Sequence, residues 1–303
     1  MLAAFEALAP VFVLIVLGAV IRRRVFLPAA FWPGAERLVY LVLFPALLIG
    51  ATATANLEGV PGGALIAASW SALAAIGALA LVAARVLRLG GPATTSVFQA
   101  AIRGNGYVGL AAAAALHGPE GLALMGLVVA VVVPTVNAAS VVCLVMAGHR
   151  RASPGPILRE LARNPLILAC AAGIGLNLAG VVLPGVATSL LDILAGGALP
   201  LGLLCVGAGL ELRGLRVALT PLGAAAALKL LALPAVTVLA VRLLGLPADL
   251  ATAAVLLAGM PVAPSSYVLA RELGGDAPLL AGAITLTTLL ATATLPLLAT
   301  LVG

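Results

Sequence analysis

Asn105 stands between two glycines in the run Arg103-Gly104-Asn105-Gly106-Tyr107-Val108-Gly109, in the middle of an apolar stretch. A carboxamide both donates and accepts hydrogen bonds. Glycines let a chain leave helical geometry without side-chain strain. The N–H groups opened at the start of the next helical segment, together with the helix dipole, favour an anion. A second interruption reads Gly259-Met260-Pro261-Val262-Ala263-Pro264-Ser265-Ser266. Pro261 and Pro264 remove two backbone donors and free carbonyls in the preceding turn, while Ser265 and Ser266 bring hydroxyls. The chemistry expected is recognition of a small anion. Its candidate contacts are Arg103, Gly104, Asn105, Gly106 and Tyr107 at the first break, and Met260, Pro261, Ala263, Pro264, Ser265 and Ser266 at the second. The plainer readings are close helix packing at Gly104 and Gly106, and a simple kink at the prolines.

Three further groups carry charge inside apolar runs. Lys229, a further candidate contact for the anion, costs about 2.5–3.5 kcal/mol near mid-span on insertion scales, so it should face protein or water. Asp192 falls at a similar depth, roughly 10–12 Å below the outer surface at 1.5 Å per residue. The two are expected to pair directly or through water, as an ion-coupling site or as a buried ion pair that holds helices in register. Arg103 lies roughly 10 Å from the inner face, where it either attracts an anion or snorkels to the surface. Thr285, Thr288 and Thr292 share a helical face, and Asn137 and Ser140 sit in one span. Such groups line a cation site or glue helices together.

These residues need a membrane scaffold. The 303-residue chain is 63% hydrophobic and 9% charged, too apolar to cover a soluble surface. Its net charge of +6 comes without a basic stripe of interleaved aromatics, which argues against nucleic acid. There is no HExxH, GxSxG or P-loop pattern, and His117 and His149 lie at span ends far apart, so an enzyme is not expected. No metal site or cofactor is expected either. Cys143, Cys170 and Cys205 all lie in apolar runs and read as packing residues. The first apolar run has Glu6 before it and Arg22-Arg23-Arg24 after it, the reverse of a cleaved signal peptide.

A helical span needs about 20 apolar residues. Segments 2–21, 38–55, 62–84, 95–117, 122–147, 165–183, 186–210, 217–241, 250–270 and 277–302 meet this approximately, which predicts an all-α polytopic membrane protein of ten helices. A polar linker at 148–163 separates a first five-helix repeat, 1–147, from a second, 164–303. The halves align at a constant offset of 155 residues: Pro10 with Pro165, Gly18 with Gly173, Pro45 with Pro200, Gly90 with Gly245, Pro92 with Pro247, and Gly104 with Gly259. Five is odd, so the second repeat enters from the opposite side, giving a 5+5 inverted repeat whose broken helices four and nine cross near the midplane. Of the 16 basic residues, all but Arg103, Lys229 and Arg242 fall on the inner side if both termini are outside. That is the positive-inside arrangement.

The segment Phe98-Gln99-Ala100-Ala101-Ile102-Arg103-Gly104-Asn105-Gly106-Tyr107-Val108-Gly109 resembles the fourth-span signature of the auxin efflux carrier family. Met260-Pro261-Val262-Ala263-Pro264-Ser265-Ser266-Tyr267-Val268-Leu269-Ala270, followed by Gly274-Gly275-Asp276, resembles its ninth, and the Lys229…Pro234 and Pro200…Leu210 runs also fit. The family includes plant auxin exporters and bacterial carriers of small organic anions, and its fold is similar to that of the bile acid sodium symporters. The resemblance implies a scaffold of spans 1, 2, 6 and 7, a transport domain of spans 3–5 and 8–10, and a homodimer in the cell (inner) membrane. It further implies secondary active transport of a small carboxylate-bearing organic anion by alternating access. Coupling to sodium, to protons or to the membrane potential is left open, as are a sodium-coupled symporter of the bile acid type and a non-transporting membrane sensor. The short linker departs from the plant exporters, which carry a long central loop, and the second break has no asparagine to match Asn105.

Overall fold

The computed structural model describes residues 2–24, 27–55, 60–147, 164–211, 215 and 219–302. The expected linker 148–163, with Arg150, Arg151, Arg159 and Arg163, and the inner-side Arg213 and Arg216 lie outside the described residues. The described chain is helical throughout: α1 (Leu2–Arg23), α2 (Phe31–Ala53), α3 (Gly62–Val86), α4 (Gly91–Ile102), α5 (Gly106–Ala147), α6 (Pro165–Leu178), α7 (Gly185–Ala208), α8 (Leu219–Leu243), α9 (Ala248–Ala258), α10 (Ser265–Leu273) and α11 (Ala277–Val302). Among the described residues, seven of these are long and apolar enough to cross a membrane, and α6 and α9 are shorter apolar helices.

Several expected boundaries shift, each for a local reason. The second span starts at Phe31 rather than 38, because its first turns bury Trp32 and Ala35 although Glu36 and Arg37 make them look like loop. The expected break between the fourth and fifth spans is present: Gly118, with φ 62° and ψ −151° just before Pro119, is non-helical and divides α5 into two helical segments. α2 and α8 each contain a π-helical turn, Val39–Leu43 and Leu228–Ala232. Pro45 and Pro234 follow, and a proline cannot satisfy the carbonyl four residues before it; the wider turn accommodates that loss.

Helix pairing follows the small residues. α1 packs along α7, and α2 along α6 and α7. A Cβ on Gly18 would lie 2.1 Å from the Leu204 carbonyl oxygen, and one on Gly173 would lie 2.0 Å from Thr52 Oγ1. Glycine is required at both because the neighbouring helix occupies that volume. Polar side chains close the ends of this layer. The Arg22 guanidinium donates to the Ala208 carbonyl at the end of α7, and Asn177 Nδ2 donates to the carbonyls of Ala53 and Ala55 beyond α2 at 2.9 and 2.7 Å. α3, α4, α8, α9, α10 and α11 pack among themselves, α5 touches both groups, and α11 also meets α1.

Candidate functional site

Helix α4 stops at Ile102, and Arg103 turns extended at φ −90° and ψ 109°. Helix α9 stops at Ala258, and the chain is non-helical until Ser265. Backbone polar groups left open in an apolar medium are costly, and here the two breaks satisfy each other. Asn105 N donates to Pro261 O at 2.8 Å, and Ala263 N donates to Arg103 O at 3.2 Å. Gly104 and Val262 thus form an antiparallel bridge. A further donor, Val262 N, goes to Thr287 Oγ1 at 3.0 Å, and that hydroxyl in turn donates to Ala283 O at 2.7 Å on α11.

Gly104 is glycine for space, not torsion. Its φ is not positive, but a Cβ there would sit 2.9 Å from Leu257 O and 3.4 Å from Lys229 Nζ. Gly106 has no such constraint, since its Cβ would meet only Val129 at 3.9 Å. The expectation that both glycines release the backbone from side-chain strain is therefore corrected.

Asn105 is 1% exposed and has two unlike ends. Its Oδ1 accepts from Tyr107 N at 3.0 Å and Val108 N at 3.3 Å, capping α5. Those N–H groups, expected to face an anion, are used internally. Its Nδ2 is buried with no partner among the described residues, and a buried donor without a partner costs about 1–3 kcal/mol. That amide is the donor the site leaves open. Ser266 Oγ and both polar atoms of Gln99, one turn before Arg103, are likewise buried and unpartnered among the described residues.

Arg103 does not snorkel. It is 5% exposed, and its guanidinium donates to Ser265 Oγ at 2.8 Å and to Ser140 Oγ at 3.4 Å. It ties the first break to the start of α10 and to the second segment of α5. The Tyr107 ring stacks on Phe44 of α2, with centroids 4.5 Å apart and planes 8° apart, so it faces the neighbouring helix group. Met260 is fully buried and packs beside Gly109.

Lys229 reaches the site from the π turn of α8. It is fully buried, and Nζ donates to the Ala258 carbonyl at 2.7 Å. A cavity of about 30 Å³ beside it is lined by Gly104, Ser69, Thr237 and Ala258 among others. The expected pairing with Asp192 does not form: Asp192 is exposed on α7, which packs on α1 and α2. Equal depth along two helices says nothing about which way each side chain faces. The threonine face of α11 also divides. Thr285 and Thr288 are buried and donate to their own helix, Thr285 also accepting from Glu211 N at 3.0 Å, whereas Thr292 is exposed. Thr287, off that face, is the one that serves a break. Polar spacing alone did not single it out.

The structure thus brings Arg103, Gly104, Asn105, Pro261, Ala263, Ser265 and Lys229 together and leaves Asp192 outside. No curated protein matches the chain. Residues 151–299, from early in the expected linker to near the end of α11, match the family model described as membrane transport protein, a transporter family of the auxin efflux carrier type.

Proposed function

We propose that this protein is a secondary transporter for a small carboxylate-bearing organic anion, with its substrate site where the two breaks meet. One observation carries the reading: the buried, unpartnered Nδ2 of Asn105 at a junction of two interrupted apolar helices. A carboxylate oxygen supplies the acceptor that the fold withholds. Interrupted helices at the interface of two repeats are a recurring place for such sites. The nearby cations Arg103 and Lys229 raise the local potential for an anion, and Ser266 offers a second hydroxyl.

On this reading the breaks are the crossovers of helices four and nine in a ten-span, 5+5 inverted repeat. The pairing of α1 with α7 and of α2 with α6 relates the halves by the same exchange that the 155-residue offset suggests. α1, α2, α6 and α7 act as the scaffold, through which two copies associate, and the rest moves as the transport domain by alternating access. The protein lies in the cell (inner) membrane with both termini outside. Arg22, Arg85 and Arg271, in the last turns of α1, α3 and α10, would then share the inner face.

The test is a thermal-shift screen of purified protein with mono- and dicarboxylates, followed by uptake into proteoliposomes. A stabilising carboxylate whose effect and uptake vanish in Asn105→Ser supports the reading. Undiminished uptake by that variant sinks it. A stabilising amine or sugar in place of any carboxylate would also sink it.

A further inference from the structure

A helix ending inside a membrane leaves four carbonyls without intrahelical partners. Every one of them at the end of α9 is met. Gly259 N serves Val255 O at 3.0 Å and Leu256 O at 3.1 Å, and Met260 N serves Leu257 O at 3.2 Å. The last, Ala258 O, takes Lys229 Nζ at 2.7 Å. In carriers built on interrupted helices, such C-terminal carbonyl ends are where a coupling cation is held. Here the position is filled by a positive charge on a side chain. We propose that Lys229 is a tethered cation in the place of a coupling ion, so that the protein needs no sodium at this end of α9.

Three features fit this role. An ammonium is a compact point charge on a flexible stem, and the short distance to Ala258 is that of a charge-assisted bond. The negative end of the α9 dipole offsets part of the cost of burying it. Finally, the charge lies beside both breaks, since a Cβ on Gly104 would sit 3.4 Å from Nζ. The π turn Leu228–Ala232 is what aims Lys229 at this point. Removing the side chain would join its volume to the adjoining cavity, leaving a space with the Ala258 carbonyl and the hydroxyl residues Ser69 and Thr237 around it. Oxygen ligands of that kind suit a small monovalent cation.

The consequence for coupling rests on the transporter reading, but the test does not. The thermal midpoint of the purified full-length protein is measured in choline, sodium and methylammonium chloride at equal ionic strength, without substrate. The wild type should melt at the same temperature in all three. Lys229→Ala should melt several degrees lower in choline and recover, saturably, with methylammonium or sodium. Lys229→Met, which refills the space with an apolar chain, should melt low in all three. A saturable sodium stabilisation of the wild type overturns the proposal, and so does a Lys229→Ala protein that responds to neither cation. If Lys229→Ala accumulates only when methylammonium is present during purification, that supports the proposal directly. If it accumulates in no medium, the sodium response of the wild type decides. Failure to find any carboxylate ligand would sink the proposed function and leave this result standing.

Discussion

At the scale of single residues, Asn105 does two jobs with two atoms, and they are separable. Serine also caps helices well but has no amide donor. Asn105→Ser should therefore fold with a loss within about 0.5 kcal/mol while losing carboxylate-dependent stabilisation. Asn105→Ala should lose about 1 kcal/mol more, for the cap, which denaturation without ligand would read. The two glycines beside it separate in the same way. Gly104→Ala puts a methyl 2.9 Å from the Leu257 carbonyl and should destabilise by about 1–3 kcal/mol. Gly106→Ala, whose methyl would meet only Val129 at an ordinary contact distance of 3.9 Å, should be neutral or stabilise by up to about 1 kcal/mol. Equal losses for both would refute the close-approach account. The glycines themselves were legible in the chain; which of them a neighbour needs was not, because that neighbour lies more than 150 residues away (Gly104 against Leu257).

At the scale of elements, the two interrupted spans are one unit. Each break supplies what the other lacks: Asn105 N to Pro261 O, and Ala263 N to Arg103 O. Prolines and glycines mark where a helix must stop, so both breaks could be placed from sequence. The third partner could not. Thr285, Thr287 and Thr288 on α11 all donate to carbonyls of their own helix, so nothing in the spacing marks Thr287 as the one that also accepts from a break. Thr287→Val keeps the shape and removes the acceptor for Val262 N. An unsatisfied buried N–H costs about 1–3 kcal/mol, and hydrogen exchange at Val262 should accelerate relative to α1 and α7. Unchanged exchange there would show that the bridge does not depend on this hydroxyl. Arg103 illustrates the same limit: its depth allowed snorkelling, and only the positions of Ser265 and Ser140 turn it inward.

At the scale of the whole molecule, close pairing of α1 with α7 depends on Gly18 and Gly207, whose Cβ atoms would lie 2.1 and 1.8 Å from carbonyl oxygens of the facing helix. Gly18→Leu should separate these helices and lower the yield of folded protein or its melting temperature, whereas Gly50→Ala, with nothing within 4 Å, should not. The proposed inverted arrangement, with the basic residues on the inner side, makes a further prediction. A reporter fused after Gly303 and one fused before Met1 should both report the outer side. A cytoplasmic C-terminus would overturn this orientation, and termini on opposite sides would exclude the 5+5 repeat, whatever the substrate proves to be.

The sequence by itself determined that this is a multi-span helical membrane protein and where two of its spans are interrupted. The bilayer penalises polar atoms and unsatisfied backbone wherever they occur, so hydropathy, proline and glycine report on it locally. The tertiary structure alone decided that the two breaks bond to each other, that Arg103 points inward, and that Lys229 meets the end of α9 rather than Asp192. Those outcomes turn on which face of each helix meets which neighbour. Depth and composition carry no record of that; it is settled only when distant segments pack.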